Sequence, residues 1–520
     1  ALPKGVNMSK VYTFNKTTIG HLHVMREIPC EDYSLSYSDE SGRYHIAIVA
    51  DGHGSEECFR SSVGSKAVCE VALAYLKEFA ESIVESEITE ERFYQDVFTN
   101  LRYSQMTVRR LTDSIIAGWH DSVCGYHELN PVTEDEWTKL NEKYDPGKVQ
   151  KITENVEHIY GTTLMAALAL PGCLLLIHQG DGRIDVFYGD GRVEQPVPWD
   201  IRCEDTTTTS MCDADVTSSI RHKIINLRET PVVACYLGCD GVEDAYRDSH
   251  GDLGSTHCFM GGVHTFYKYL TCKLLDTSKE EFEQYLEGFL PEFSTNGIFT
   301  RCGSGDDVSV AGIVDLEAIE SFKQQFEADI KRYSLEEELF WKEDELRGKT
   351  RKHDILKRRM EEAKATVDTL SSELQKIVIA QNDLQSKREL LFEKTEEAKA
   401  ELEQYKKEAK EEAGSFEDEI VSNSLRSHMR LLGLTIQEIY DRIANGVNQL
   451  EARYRKLLEK LVEYDAEIQK LQKNQVKVSA ELDAANQAYT DAKANFDEYD
   501  DKYRQIEKEC QTIRKMLESD

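Results

Sequence analysis

Four acidic turns of the sequence could bind a metal ion, because each adjoins an apolar run that is typical of a buried strand. In chain order these are Asp51-Gly52-His53-Gly54 after residues 44–50, Gly180-Asp181-Gly182-Arg183 after residues 174–177, Asp240-Gly241 after residues 232–237, and Asp306-Asp307 before residues 308–314. One Asp-Gly pair alone is more often an ordinary turn than a ligand. Four strand-end acids together predict one oxygen-lined site for Mg²⁺, Mn²⁺ or Ca²⁺, since hard cations prefer carboxylates, carbonyls and water. The sequence has no HExxH, paired CxxC or GxxxxGK[ST] motif, which removes support for zinc-protease and P-loop chemistry.

The order of these turns resembles that of the metal-dependent protein phosphatases of the phosphatase 2C type, in particular their bacterial branch. The resemblance covers residues 15–315 approximately and rests on six motifs: Glu31-Asp32, Asp51-Gly52-His53-Gly54, Tyr160-Gly161-Thr162-Thr163-Leu164, Gln179-Gly180-Asp181-Gly182, Gly238-Cys239-Asp240-Gly241-Val242 and Gly305-Asp306-Asp307-Val308-Ser309. It implies an α+β fold, an αββα sandwich of two antiparallel sheets flanked by helices, with the metals at one end of the sandwich.

The resemblance also implies the cofactors, two Mn²⁺ or Mg²⁺ ions with a weaker third. Asp51 is implied to bridge the first two ions, with the Gly52 carbonyl on one of them and Asp240 and Asp306 on the other. Glu31 and Asp32 are implied to act directly or through water. Asp181 is implied to bind the third ion together with Asp240. Such a site activates a water and neutralises phosphate charge, so hydrolysis of a phosphomonoester needs no protein nucleophile.

Two catalytic positions complete what the resemblance implies. His53 would protonate the departing serine or threonine oxygen, a general-acid role that commonly contributes about 10²–10⁴-fold; the alternative is an ordinary turn histidine. The family places a phosphate-binding arginine just before the Glu-Asp pair, but Arg26 is one residue farther from Asp32 than in the bacterial motif. Arg26 and His23 are therefore both candidates. Departures at Gly182, Ser55 and Asp307 remove no metal carboxylate, which favours an active enzyme.

Composition restricts the partners of this 520-residue chain, which has 63 Lys and Arg, 96 Asp and Glu, and a net charge of −33. This acidity disfavours binding to nucleic acid or to an anionic membrane. No apolar run is long enough for a signal peptide or a transmembrane helix, which predicts a cytoplasmic protein. The thirteen cysteines are scattered, and we expect Cys58, Cys69 and Cys235 to be buried reduced thiols.

The last two hundred residues predict a coiled coil. Apolar residues keep an alternating four-three spacing over residues 335–409 and again over residues 447–517, which is typical of a left-handed coiled coil. Two stretches of nearly equal length, each about 110 Å as a helix, predict an antiparallel hairpin. Polar residues within these seams, such as Lys342, His353 and Arg388, are expected to fix the register.

The predicted domain order follows from these boundaries: residues 1–7 as an expression remnant before a natural start at Met8, 8–316 as the phosphatase 2C-like domain, 317–334 as a connecting helix, 335–413 as the first coiled-coil helix, 414–446 as the hairpin tip and 447–520 as the second helix. Within the domain, the spacing predicts helices over residues 56–84 and 90–117, and a polar excursion over residues 125–157. The apolar tip cluster is either a cap or a docking surface for a partner.

Two classes of function follow. The first is a serine/threonine phosphoprotein phosphatase whose arm is a regulatory or targeting module, with phosphoserine or phosphothreonine proteins as substrates. A serine/threonine kinase is the partner class that the resemblance implies, and the coiled coil would bind a protein partner or self-associate. The second is a coiled-coil scaffold or adaptor with a weakly active or inactive phosphatase-like domain. Complete metal carboxylates favour the first, the displaced arginine favours the second, and a small phosphorylated molecule is a further possible substrate.

Overall fold

The structure, a computed structural model, describes residues 10–203, 207–246, 260–413 and 448–519. The predicted remnant at residues 1–7 and the predicted tip at residues 414–446 lie outside these ranges. The strands are β1 (Val11–Thr18), β2 (Tyr33–Ser38), β3 (His45–Ala50), β4 (Leu164–Leu170), β5 (Cys173–Gln179), β6 (Arg183–Tyr188), β7 (Val193–Glu194), β8 (Arg221–Asn226), β9 (Val232–Gly238) and β10 (Val308–Asp315). The helices are α1 (His21–Arg26), α2 (Ser61–Val84), α3 (Glu87–Thr99), α4 (Leu101–Leu129), α5 (Glu134–Lys143), α6 (Pro146–Glu154), α7 (Val216–Ser219), α8 (Asp240–Glu243), α9 (Met260–Asp276), α10 (Lys279–Asn296), α11 (Leu316–Glu320), α12 (Lys323–Ala413) and α13 (Asn448–Ser519).

The strands form two five-stranded sheets within the described ranges. The first sheet has the order β1-β10-β9-β6-β7 and the second has the order β2-β3-β4-β5-β8. Every neighbouring pair in both sheets is antiparallel. The predicted pair of antiparallel sheets is therefore confirmed.

Side-chain alternation along the central strands builds the layers of the sandwich. In β3, Ile46 and Ile48 pack against helices α2 and α4, whereas Ala47 and Val49 pack against the other sheet. This is the period of two expected for a strand that is covered on both faces. On the outer face of the first sheet, aromatic and aliphatic residues of α9 and α10 form a separate core. The order of layers is thus helix, sheet, sheet, helix, as predicted.

The helices over the second sheet differ in detail from the prediction. A single helix was expected over residues 90–117, but the structure has α3 and α4, which meet at Asn100. The Asn100 side chain accepts a hydrogen bond from the Tyr103 backbone N–H and so caps α4. The polar excursion is largely helical, because α4 continues to Leu129 and α5 and α6 follow it.

The chain divides into two compact units, one up to Leu339 together with the residues from Met516, and one from Phe340 to Lys515. In the first unit, Phe326 at the beginning of α12 is buried in the core of α9 and α10. The core of this unit therefore includes side chains that lie beyond residue 316.

The second unit is an antiparallel pair formed by α12 and α13. Residue numbers rise along one helix as they fall along the other, since Lys342 pairs with Glu509 and Lys406 pairs with Glu451, each at 2.6 Å. Predicted seam residues such as Leu402 are fully buried. The polar seam residues Lys342, His353 and Arg388 pair across the two helices with Glu509, Asp500 and Asp465, respectively. The antiparallel hairpin is confirmed in the described ranges, and no helix in them is apolar over a length that would span a membrane.

Candidate metal centre and active site

One open cavity of about 420 Å³ in the first unit collects nearly all the predicted site residues. Its lining includes His23, Glu31, Asp32, Asp51, Gly52, His53, Asp181, Asp240 and Asp306. Arg26 does not line it; this residue is exposed at the last position of α1. The structure therefore brings the carboxylates and two of the three basic candidates together.

Strand register explains why these acids meet. In the second sheet Tyr33 pairs with Ala50, so Asp32 before β2 and Asp51 after β3 lie at the same edge. In the first sheet β9 and β10 are also antiparallel, so the acids that follow β9 and precede β10 meet at one edge in the same way. The cavity thus lies where both sheets end.

The backbone of Asp51 is held by the Tyr160-Gly161-Thr162-Thr163 motif. Its N–H donates to Thr163 Oγ1 at 2.9 Å, and its carbonyl oxygen accepts from the Thr163 N–H and the Thr162 hydroxyl, both at 2.8 Å. Gly52 then forms an isolated antiparallel bridge with Thr162. These contacts fix the direction in which the first residue after β3 leaves the sheet.

Glu31 is held by contacts along its whole length. A Cβ atom at Gly52 would lie 2.3 Å from the Glu31 carbonyl oxygen, so glycine is needed where the two chains pass. The Ser65 hydroxyl donates to that carbonyl at 2.5 Å, and the Ser61 hydroxyl donates to Glu31 Oε1 at 2.7 Å. The first turns of α2 therefore position this carboxylate.

Asp307, which also lines the cavity, is a structural anchor, a role that the sequence did not indicate. Its carboxylate is 3% exposed and accepts the backbone N–H groups of Gly20 and Glu31, each at 2.6 Å. A Cβ atom at Gly241 would lie 2.0 Å from the Asp307 carbonyl oxygen. The segment before β2 and the Asp240-Gly241 turn are thus both packed against the beginning of β10.

The Asp181 turn depends on glycine in a different way. Gly180 has a φ of 107°, in the left-handed region that L side chains rarely adopt. Its N–H donates to Thr209 Oγ1 at 3.2 Å, and its carbonyl accepts from Arg221 Nη2 at 2.6 Å. This turn directs the Asp181 side chain into the cavity.

The carboxylates raise one another's pKa. Burial, followed by the charges of neighbouring acids, raises the pKa of Asp51 and of Asp240 well above the ordinary range. Burial likewise raises the pKa of Glu31 and of Asp32 to about 7. Buried carboxylates this close to one another stay ionised only if a cation compensates their charge.

The donor set fits hard divalent cations. Ligand atoms of Asp32, Asp51 and Cys239 lie within 4.8 Å of one another. One oxygen of Asp32 is buried and has no hydrogen-bond partner in the described part of the chain. The Cys239 sulfur is occupied by the Ser309 N–H and the Asp307 carbonyl, which leaves oxygen as the available donor. Oxygen donors suit Mn²⁺ and Mg²⁺.

His53 is a neutral, unpaired imidazole in the cavity wall. Burial, followed by the charge of His158, lowers the pKa of His53 to about 4. Its Nε2 atom is buried without a hydrogen-bond partner in the described residues. Gly161 provides the space for the ring, because a Cβ atom there would lie 2.7 Å from His53 Cδ2. The imidazole can therefore interact with a bound ligand.

The remaining basic groups of the wall are also histidines. Lys and Arg are absent from the described residues that line the cavity. His23 Nε2 lies 3.4 Å from an Asp306 carboxylate oxygen, and His158 is on the 3₁₀ turn Val156–Tyr160.

Sequence reasoning missed His158 and the residues of the cavity wall between 207 and 213, because no strand pattern precedes them. Sequence reasoning also missed Asp244, whose pKa is raised to about 6 by burial and then by the nearby Asp306 and Asp181 charges. The sequence signal for Asp244 was its spacing of four residues from Asp240, which places both on one side of a helical turn.

Comparison with known protein families identifies the family of the chain. The sequence profile of the family described as Protein phosphatase 2C matches residues 19–290, more than half of the chain. The chain belongs to the protein phosphatase 2C family, which confirms the resemblance and the predicted enzyme class of protein-serine/threonine phosphatase. No curated protein sequence matches it.

Solved structures similar to the chain include three phosphatases. A bacterial serine phosphatase is 16% identical, with a TM-score of 0.33, and the match covers 58% of this chain and 97% of that one. The serine/threonine phosphatase Stp1 from Staphylococcus aureus is 14% identical, with a TM-score of 0.34 and coverages of 58% and 94%. The catalytic domain of the serine/threonine protein phosphatase PstP, in complex with two manganese ions, is 15% identical, with a TM-score of 0.31 and coverages of 58% and 97%.

Proposed function

We propose that the chain is a metal-dependent phosphatase for phosphoserine and phosphothreonine proteins. The observation that carries this proposal is the close grouping of buried carboxylates around one cavity. Among the described residues that line this cavity there is no Lys or Arg. Because no Lys or Arg among the described residues that line the cavity neutralises these acids, divalent metal ions are the charge partner that the site requires.

The ligand roles that we propose are those that the family resemblance implies. Asp51, which directly follows β3, would be shared by two Mn²⁺ or Mg²⁺ ions. The other proposed ligands are the Gly52 carbonyl, Asp240 and Asp306 on these ions, Glu31 and Asp32 directly or through water, and Asp181 with Asp240 on a weaker third ion. When bound, such ions supply an activated water and neutralise the charge of the phosphate.

His53 would protonate the departing oxygen. Its unpaired Nε2 is available to a bound ester, and the negative charge of a phosphate raises the pKa of an adjacent imidazole, which favours the acid form. A serine or threonine alkoxide leaves poorly without a proton, whereas p-nitrophenolate leaves readily.

The first experiment measures hydrolysis of a threonine phosphopeptide by the full chain with Mn²⁺, with EDTA, and by Asp240→Asn. We expect metal-dependent turnover that falls at least about 100-fold in the variant. Asp190→Asn is the matched control, because Asp190 also stands in an Asp-Gly turn but is exposed and pairs with Arg192. Equal turnover by Asp240→Asn and wild type would refute the assignment.

A second experiment separates a catalytic His53 from a turn histidine. His53→Asn should lose about 10²-fold or more on the phosphopeptide and much less on p-nitrophenyl phosphate. A similar loss on both substrates would mean that His53 acts on packing or binding and not on the leaving group.

Phosphate binding is assigned to His23, with Arg26 as the alternative. His23 lines the cavity and is close to Asp306, whereas Arg26 lies outside the lining. His23→Ala should raise KM for the phosphopeptide more than Arg26→Ala does. The opposite order would assign the phosphate to Arg26.

A second candidate function is an adaptor with weak phosphatase activity. The observation that favours it is the absence of Lys and Arg from the described wall, since bidentate arginine contacts are a strong way to hold a phosphate. Tight metal binding without phosphopeptide turnover, in the full chain and after truncation at Leu339, would support this reading.

The arm is assigned a regulatory or targeting role, with a serine/threonine kinase, a kinase substrate or a second copy of the chain as the partner class. Its support is the continuous α12–α13 pair, which has its own core around Leu402 and Leu458. Truncation after Leu339 keeps Phe326 in the core of the first unit. Unchanged turnover on a small phosphopeptide, combined with lost activity on a protein substrate, would indicate targeting. A change on both would indicate direct regulation.

A further inference from the structure

We propose that His120, Cys124 and Glu157 form a second metal site, separate from the carboxylate cavity and suited to Zn²⁺. One donor atom from each residue lies within 4.8 Å of the other two. The three residue types supply nitrogen, sulfur and oxygen, the donor set of many zinc sites. None of the three lines the cavity that holds the candidate metal carboxylates.

Local structure brings the three donors together. His120 and Cys124 are four residues apart on α4, so they lie on the same face of the helix. Glu157 is on the 3₁₀ turn Val156–Tyr160 that packs beside α4. A metal ion at this position would tie the C-terminal part of α4 to the turn.

The distances are close to those that zinc requires. Cys124 Sγ lies 3.9 Å from His120 Nε2, and that nitrogen lies 2.7 Å from Glu157 Oε1. Zinc–ligand bonds of about 2.0–2.3 Å in tetrahedral geometry place such donor atoms about 3.3–3.6 Å apart. Small side-chain rotations bring both distances into that range, and the half-exposed His120 leaves a side open for water as the fourth ligand.

The surroundings favour a cation. His120 Nδ1 lies 3.5 Å from Asp121 Oδ1, so this carboxylate adds negative charge close to the three donors.

Donor type distinguishes the two sites. The cavity offers mainly carboxylate oxygen, which suits Mn²⁺ and Mg²⁺, whereas imidazole and thiolate select zinc-like ions. The second site also has a connection to the first, because His158, the next residue after Glu157, lines the cavity. A zinc ion on Glu157 would therefore restrain one wall of the active site.

The test uses Co²⁺ as an optical probe for zinc in the reduced full-length protein. We expect Co²⁺ at this site to give a thiolate-to-cobalt charge-transfer band, which Co²⁺ held by the carboxylates of the cavity does not give, and we expect added Zn²⁺ to remove the band. Cys124→Ser should abolish it, and His120→Gln should weaken cobalt binding at least about 10-fold. Cys302→Ser, at an exposed thiol, and Asp240→Asn, in the cavity, should both keep the band.

The same titration can overturn the proposal. A wild-type protein without the band shows that His120 and Glu157 are only a surface ion pair. A band that persists in Cys124→Ser assigns the thiolate to another cysteine. Thermal unfolding in EDTA confirms that each variant is folded, and Glu157→Gln provides a second variant that leaves both α4 residues intact. Because the readout is optical, the result does not depend on phosphatase activity.

Discussion

Asp306 and Asp307 are adjacent carboxylates for which the structure predicts opposite consequences of the same substitution. Asp307 is 3% exposed, and both of its oxygens accept backbone N–H groups at 2.6 Å, from Gly20 and from Glu31. Both residues line the cavity, but the Asp306 side chain is 48% exposed. Asparagine at each position therefore separates the anchoring role of Asp307 from the metal-binding role that we propose for Asp306.

The expected loss of stability in Asp307→Asn can be worked out from these bonds. The asparagine amide has one acceptor oxygen, so one of the two backbone N–H groups would face an NH₂ group and lose its partner. An unpaired buried donor costs about 1–3 kcal/mol, and the remaining bond loses its ionic character, which gives about 2–4 kcal/mol in total. Asp306→Asn keeps an acceptor for the Asp307 N–H at 2.8 Å and should change stability by less than about 0.5 kcal/mol.

The assay is denaturant unfolding in EDTA, followed by tryptophan fluorescence, together with phosphopeptide turnover in Mn²⁺. Asp307→Asn should lower the unfolding midpoint, whereas Asp306→Asn should keep the midpoint and lose turnover. If Asp307→Asn unfolded at the wild-type midpoint, the two short hydrogen bonds would not hold the segment before β2. If Asp306→Asn lost as much stability as Asp307→Asn, the contrast between anchor and ligand would be wrong.

Three further predictions concern charge and packing. Burial raises the pKa of Glu31 from 4.5 to about 7, so between these pH values the folded metal-free protein binds a proton that the unfolded chain has released. The stability of the protein in EDTA should therefore fall as pH rises from about 4.5 to about 7, and Mn²⁺ should reverse this trend. A flat pH profile in EDTA would contradict the raised pKa. Lys406→Met should destabilise the helix pair by about 3–5 kcal/mol, because it leaves Glu451 buried and unpaired; the measurement is the loss of helical circular dichroism in denaturant. The double variant Lys406→Met with Glu451→Leu should recover most of the lost stability. An equally unstable double variant would contradict this cause. Gly64→Ala should lower the thermal unfolding midpoint, because its Cβ atom would lie 1.8 Å from a backbone carbonyl oxygen. Gly288→Ala, with open space around it, should instead stabilise α10 by up to about 1 kcal/mol. Equal midpoints for the two variants would argue against the close packing at Gly64.

The sequence predicted the elements that carry the metal carboxylates because that information is local. An apolar run that ends in Asp51 or Asp240 marks a buried strand and its last turn, and antiparallel pairing brings such ends together. The same reasoning predicted the helix pair, since a seven-residue period is visible in the sequence itself. The break between α3 and α4 was missed because apolar spacing continues through it and only the cap at Asn100 marks it.

The rest of the site depends on contacts between distant segments. Nothing near Asp307 in the sequence shows that its carboxylate accepts N–H groups from residues 20 and 31. Arg26 was a candidate because of its distance along the chain from Asp32, but the structure places it at the exposed end of α1. His158 lines the cavity because a 3₁₀ turn precedes β4, and short turns of this kind have no periodic signal.

The origin of the carboxylates links metal binding to the stability of the sandwich. Glu31, Asp32 and Asp51 adjoin β2 and β3 of the second sheet, whereas Asp240 and Asp306 adjoin β9 and β10 of the first sheet. Without cations, like charges at this end favour separation of the two sheets, and protonation relieves that repulsion. If these groups bind cations as we propose, the cations would hold the sheets together, and stability would increase with the free metal concentration because the ligands converge only in the folded state. In that case the active site and the metal-dependent stability would share the same acidic strand ends. A substitution there would then change both properties unless, as at Asp306, the side chain has little structural role.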